Sequence, residues 1–142
     1  MMTLRSLVYS SEVVPGLTVE QIDDLARDAA AQNLIAGVTG VLLCDGNRFL
    51  QYIEGPDDGM ALVYSRILNS RSHRDIVELG STRGSVRRFP YWSMRWLPVE
   101  EPEFRIAALS DWRGLALRRA ESVFQVLTGM DRLTDIVRPH VN

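Results

Sequence analysis

Apolar and polar positions recur with two different periods along this chain. Over residues 4–10 the period is two, with Leu7 and Tyr9 on one face and Ser6, Val8 and Ser10 on the other, which predicts a strand. Pro15-Gly16 ends it. The period then becomes helical. Val19, Ile22, Leu25, Ala26 and Ala29 fall on one face, behind the capping-box pair Thr18 and Gln21. This helix is expected to stop near Asn33, before Gly37. Residues 38–44 read as a second strand, Asp45-Gly46 as a hairpin turn and residues 49–54 as a third strand, closed by Gly55-Pro56. Pro56 suits the first turn of a following helix, where Asp57 and Asp58 favour the positive end of the dipole. Met60, Val63, Tyr64, Ile67 and Leu68 give that helix one apolar stripe. Residues 76–79 begin a fourth strand, and residues 92–97 make a fifth.

The order β-α-β-β-α-β-β predicts an α+β, ferredoxin-like sheet with one added strand. Val41, Leu42 and Leu43, like Phe49 and Leu50, are apolar without strict alternation, so the sheet needs cover on both faces. Two helices can cover only one. Ala116, Ala120, Val123, Phe124 and Leu127 recur at helical spacing and are expected to help cover the other. Residues 1–98 therefore read as the sheet domain and residues 99–142 as a C-terminal helical extension that caps it, self-associates or passes on its output. Trp112 and Phe104 in that extension hint at a homo-oligomer.

Composition narrows the chemistry. The chain has 142 residues and a formal charge of −2, without the concentrated positive field that nucleic acid requires. No apolar run is long enough for a membrane span, so the expectation is a cytoplasmic protein with neither nucleic acid nor membrane as partner. All 16 basic residues are arginine, which excludes Schiff-base chemistry and any P-loop lysine site. Cys44 is the lone cysteine, and with His73 and His140 it forms no metal-ligand spacing. No nucleophile–base pair is evident, so no enzymatic activity is expected.

Three polar residues stand where a packed core would not choose them. Gln51 interrupts Phe49-Leu50-Gln51-Tyr52-Ile53, and a buried carboxamide without partners costs about 1–3 kcal/mol. Each residue has a plain explanation taken singly. Gln51 could bond to backbone at a sheet edge, Tyr9 could be a core tyrosine and Asn33 a helix C-cap. Together and in this order they resemble the BLUF family of flavin-using blue-light sensors. The resemblance runs from about Leu4 to Leu97. It is carried by Leu7-Val8-Tyr9-Ser10-Ser11, by Asn33 with Gly37-Val38-Thr39-Gly40, and by Phe49-Leu50-Gln51 with Glu54-Gly55. Arg66-Ile67 with Arg71-Ser72-His73, and Arg88-Phe89-Pro90-Tyr91-Trp92-Ser93-Met94, complete it. Asn47-Arg48-Phe49-Leu50-Gln51 also looks like the core of the LOV photosensor motif. The adduct-forming cysteine that LOV carries between the asparagine and the arginine is missing.

The resemblance implies a flavin, usually FAD with FMN or riboflavin possible, held between the two sheet-packed helices. Asn33 would bond to its polar edge, and Arg66 would contact it or its phosphates. Ser70 departs from the aspartate many relatives carry. Tyr9 would give up an electron and then a proton to the excited flavin, and Gln51 would then rotate or tautomerise. Trp92 and Met94 match the positions that exchange near the glutamine, and two-residue spacing on a strand would put both on one face. The output would pass to the C-terminal helices and a protein partner. Two other readings are a ferredoxin-like regulatory or dimerisation module binding another small ligand and, more weakly, a small ferredoxin-like enzyme.

Overall fold

A computed structural model of the chain describes residues 3–118 and 126–141. Strands β1 (Leu4–Val13), β2 (Thr39–Cys44), β3 (Arg48–Pro56), β4 (His73–Gly84) and β5 (Arg95–Pro98) form one sheet in the order β4-β1-β3-β2-β5. The first four pair antiparallel, and β5 joins the edge parallel to β2. Helix α1 (Val19–Ala36) crosses from β1 to β2, and α2 (Asp57–Leu68) from β3 to β4. These crossovers start from antiparallel strands and run in opposite directions along the sheet. Right-handed crossing therefore places both helices on the same face. The fold is the ferredoxin-like α+β arrangement with an added strand, as the periodicity predicts.

Each face has its own core. Leu7, Leu42, Phe49 and Ile53 meet Ile22, Met60 and Val63 from α1 and α2. One residue along the same strands, Val8, Val41, Leu43, Leu50 and Tyr52 meet the C-terminal cover, which consists of α3 (Glu101–Ala108), a 3-10 turn (Arg113–Leu115) and α4 (Gly129–Val137). Phe104, Trp112, Leu115, Met130 and Leu133 fill that side. The cover sits close on β4. A Cβ on Gly80 would lie 2.3 Å from the Trp112 carbonyl oxygen, so only glycine lets the two backbones approach this way.

Several boundaries differ from the sequence reading. The Thr18–Gln21 capping box is present, but α1 runs past Asn33 to Ala36 and stops at Gly37, whose φ of 73° is left-handed. Asn33 is thus an interior helix residue and not the C-cap. Pro56 is the N-cap of α2 and lies just outside its first turn. Strand β4 is longer than residues 76–79. Its exposed edge lets Arg74, Glu78 and Arg83 take strand positions that disguise it. The fifth strand starts at Arg95, not Trp92, because the Trp92 carbonyl is taken by the Gly40 N–H and that of Ser93 by a side chain. Ala116 is extended and Leu127 is non-helical, so neither belongs to a covering helix; Ala120, Val123 and Phe124 lie outside the described residues. Phe104 and Trp112 are buried in the chain's own core and lend no support to self-association.

Candidate functional site

Between α1 and α2, above β1, β2 and β3, lies a cleft of about 390 Å³. That volume falls within the range of about 300–1,000 Å³ typical of small-molecule sites. Tyr9, Asn33, Gln51, Arg66 and Met94 all line it, whereas Trp92 does not. Leu42, Phe49, Val63 and Ile67 give it apolar walls.

Strand register creates the polar floor. Tyr9 on β1 stands directly opposite Gln51 on β3, and Gln51 stands opposite Leu42 on β2. Antiparallel partners project to the same side, so the Tyr9 hydroxyl meets the carboxamide and donates to Gln51 Oε1. The other end of the amide is less well served. Gln51 Nε2 has the Met94 thioether sulfur at 3.5 Å, a weak acceptor in place of an oxygen. Gln51 is buried, so an N–H group left to a thioether is a place where a ligand carbonyl would bind well.

Asn33, with 1% of its surface exposed, donates through Nδ2 to the Ser93 carbonyl at 2.8 Å. Helix α1 is thereby tied to the segment leading into β5. Arg66 sits on the exposed flank of α2 at the cleft mouth, close to Ser70. Among the described residues it has no ion-pair partner and is available to an anionic ligand group. Ser70 Oγ is occupied by the Ser72 N–H at 3.2 Å.

His73 is a wall residue to which the sequence reading gave no role in the site. His73 bonds through Nδ1 to Ser11 Oγ at 2.6 Å and through Nε2 to the Ile67 carbonyl at 3.1 Å. A carbonyl only accepts, so Nε2 carries the hydrogen and Nδ1 receives the serine hydroxyl. Burial lowers the imidazole's proton affinity, only partly offset by the Ile67 bond, and so favours the neutral ring. Its centroid is 5.9 Å from those of both Tyr9 and Phe49. A histidine five residues after Leu68, the last residue of the apolar stripe of α2, was the available signal. Burial, and next to it Tyr64, pushes the Tyr9 hydroxyl well above the usual tyrosine range.

Met94 and Trp92 do not share a face. With no strand at 92–94 the two-residue rule does not apply. Met94 packs into the cleft-side core, while Trp92 packs against the C-terminal core, under the Arg95 guanidinium at 4.8 Å. Trp96 is the tryptophan on the cleft side, and its indole N–H is held by Asp23 of α1.

The family model described as "BLUF: Sensors of blue-light using FAD" matches residues 4–95. The chain belongs to the BLUF family. Among curated proteins it is 34% identical over 86 residues to the blue light- and temperature-regulated antirepressor BluF of Escherichia coli, covering 61% of this chain and 21% of that protein. The solved BLUF protein BlrB, in its dark state, is 31% identical with a TM-score of 0.71, covering 99% of both chains. Klebsiella pneumoniae BlrP1 with FMN and cyclic diGMP is 37% identical with a TM-score of 0.62, over 67% of this chain and 26% of that one. The match thus spans about a fifth of BluF and a quarter of BlrP1. A BLUF domain is a flavin-binding blue-light sensor and not itself a catalyst. The lining is compatible with a flavin: the apolar walls suit a flat ring, and the Gln51 N–H group, which has only a thioether, would suit a polar edge.

Proposed function

We propose that this BLUF domain senses blue light through Tyr9, Gln51, Asn33 and Met94, with Arg66 holding the ligand's anionic part at the mouth. FAD, which the family description names, is the flavin proposed; FMN is the alternative, since the Klebsiella relative is described with it. The observation that carries the reading is the Tyr9–Gln51 pair, whose amide has a strong bond at one end and only a thioether at the other.

A bound flavin supplies absorption of blue light and an excited state that takes up an electron and a proton. The chain supplies the donor and the memory. Tyr9 is held neutral by burial, so its proton is retained until an electron leaves. A phenol that has lost an electron becomes a strong acid, and Gln51 Oε1 is already bonded to its hydrogen. Gln51 can then turn its amide or tautomerise, because its two ends differ as donor and acceptor. Reorientation moves Nε2 off the Met94 sulfur, and Met94 is flexible enough to repack. Met94 is therefore proposed as the relay and Trp92 is not.

Residues 1–98 form the proposed sensor and residues 99–142 the output, acting on a homo-oligomer contact or a protein partner. No helix among the described residues is long and apolar enough to cross a membrane. A cytoplasmic location is proposed, in keeping with the free, buried Cys44.

The purified protein should show a flavin spectrum that shifts slightly to the red under blue light and recovers in darkness. Tyr9→Phe and Gln51→Leu should each bind flavin and lose the shift completely. A colourless protein that takes up no added flavin, or a variant with an unaltered photocycle, would overturn the assignment.

A further inference from the structure

We propose that Glu54 is a positioning residue for the photoresponse: it anchors residues 87–94 so that a change at Met94 reaches Leu115 in the C-terminal cover. The inference rests on the photosensor reading of the cleft.

Glu54 follows Gln51 by three residues on β3 and points to the opposite face, with no exposed surface. A carboxylate is almost never fully buried unless its oxygens are filled. Here donors converge on both. Oε1 accepts from the Tyr52 hydroxyl at 2.7 Å and the Arg88 N–H at 2.9 Å. Oε2 accepts from the Phe89 N–H at 2.7 Å and the Thr39 hydroxyl at 3.4 Å. Thr39 in turn accepts from Arg87, whose guanidinium also reaches the carbonyls of Glu54 and Gly37 at 3.2 and 2.6 Å.

This knot fixes one end of the segment. The other end is fixed at the sensor: Trp92 by Gly40, Ser93 by Asn33 and Met94 beneath Gln51. From the knot itself the Arg88 guanidinium leaves the segment and bonds to the Leu115 carbonyl of the cover. The Phe89 ring meets Tyr52 edge-on at 5.0 Å, filling the space beneath. Held on β3 by Glu54, residues 87–89 keep the Arg88 side chain in register with Leu115, so strain passed along the segment from Met94 loads that bond; without Glu54, slack in the segment would absorb it.

The test is hydrogen exchange on the full flavin-loaded chain, dark and lit, alongside its spectrum. Wild type should show the red shift and a light-dependent change in exchange over residues 110–118. Glu54→Gln keeps the volume but turns one acceptor oxygen into a donor. It should retain the full spectral shift, since Tyr9 and Gln51 lie across the sheet. Its Arg88 and Phe89 amides should exchange at least about tenfold faster in darkness. The light-dependent change over 110–118 should disappear. Arg88→Met leaves the Glu54 bonds intact and should lose only that last change, with Arg88→Lys restoring part of it. Should Glu54→Gln fail to fold, Glu54→Asp, which keeps the charge but draws the carboxylate back by one carbon, takes its place in the same comparison. An unaltered light-dependent change in either Glu54→Gln or Arg88→Met, with the shift present, overturns the proposal. So does a wild type that shifts its spectrum without any change over 110–118. A wild type with no shift would instead sink the photosensor reading.

Discussion

Strand β3 carries two buried polar side chains on opposite faces of one sheet, and they are treated in opposite ways. Gln51 faces the cleft, where its carbonyl has the Tyr9 hydroxyl but its N–H group has only the Met94 sulfur. Glu54 faces the C-terminal cover, where the Tyr52 hydroxyl, two backbone N–H groups and Thr39 fill both oxygens. The surroundings follow the same division. On the cover face Val8, Val41, Leu43, Leu50 and Tyr52 have no exposed surface, whereas Leu42, Phe49 and Met94 border a cavity. A side chain that must change partners needs a weak bond and room beside it. A side chain that must hold still needs every bond made and no room at all.

Apolar replacement tests this contrast most sharply. Glu54→Leu strands the Arg88 and Phe89 N–H groups without an acceptor and leaves the Tyr52 hydroxyl only Ser6, at about 1–3 kcal/mol each, so a loss on the order of 5 kcal/mol is expected. Gln51→Leu strands only the Tyr9 hydroxyl and should cost about 1–2 kcal/mol, although it ends the photoresponse. Urea unfolding of the flavin-free proteins measures both. Equal losses would show that the two faces are not built differently.

A narrower comparison uses neighbours of one residue type. Leu43 is fully buried against the cover, while Leu42 lines the cleft. The cost of deleting a leucine side chain grows with the void it leaves, and a site already beside a cavity adds little new void. Leu43→Ala should therefore cost about 4–5 kcal/mol and Leu42→Ala about 2–3 kcal/mol. Added flavin should widen the gap between wild type and Leu42→Ala, because losing a cleft wall weakens binding and ligand stabilisation grows with the logarithm of affinity.

The same division explains what the sequence made legible. Period and capping residues are local, so Thr18, Gln21 and Gly37 located α1, and doubly apolar strands announced two covered faces. The Tyr9, Asn33 and Gln51 trio was visible because each breaks an apolar or helical pattern. Glu54 was not, since a carboxylate just before Gly55-Pro56 looks like a strand ending at solvent. Its partners at 87–89 are more than 30 residues away, where nothing local points back. Trp92 was misplaced for a related reason. Two-residue alternation holds only where a ladder holds the backbone, and side-chain and single backbone bonds hold residues 92–93 instead. The cover helix α4 had a readable start in Thr128 and Asp131, with Met130, Leu133 and Val137 at helical spacing. The competing stripe over 116–127 drew attention away from it.

The smallest expected effect concerns pH and lies in the cleft wall, where His73 joins β1 to the end of α2 through Ser11 and Ile67. Burial lowers its folded-state pKa from the usual 6.5, so the unfolded chain binds the proton more readily. Stability therefore rises with pH wherever the unfolded state carries more protons. The contribution of a neutral His73 is complete above about pH 6.5 and is lost as pH falls from there toward the lowered value. Thermal unfolding between pH 7.5 and 5.5 should show a decline on the acid side, and His73→Gln should flatten it. Glutamine has no charge to acquire and can still bridge Ser11 and the Ile67 carbonyl. The spectral shift should survive in the variant, because His73 packs near Tyr9 without bonding to it. An acid decline of the same steepness in His73→Gln would place the titrating group elsewhere.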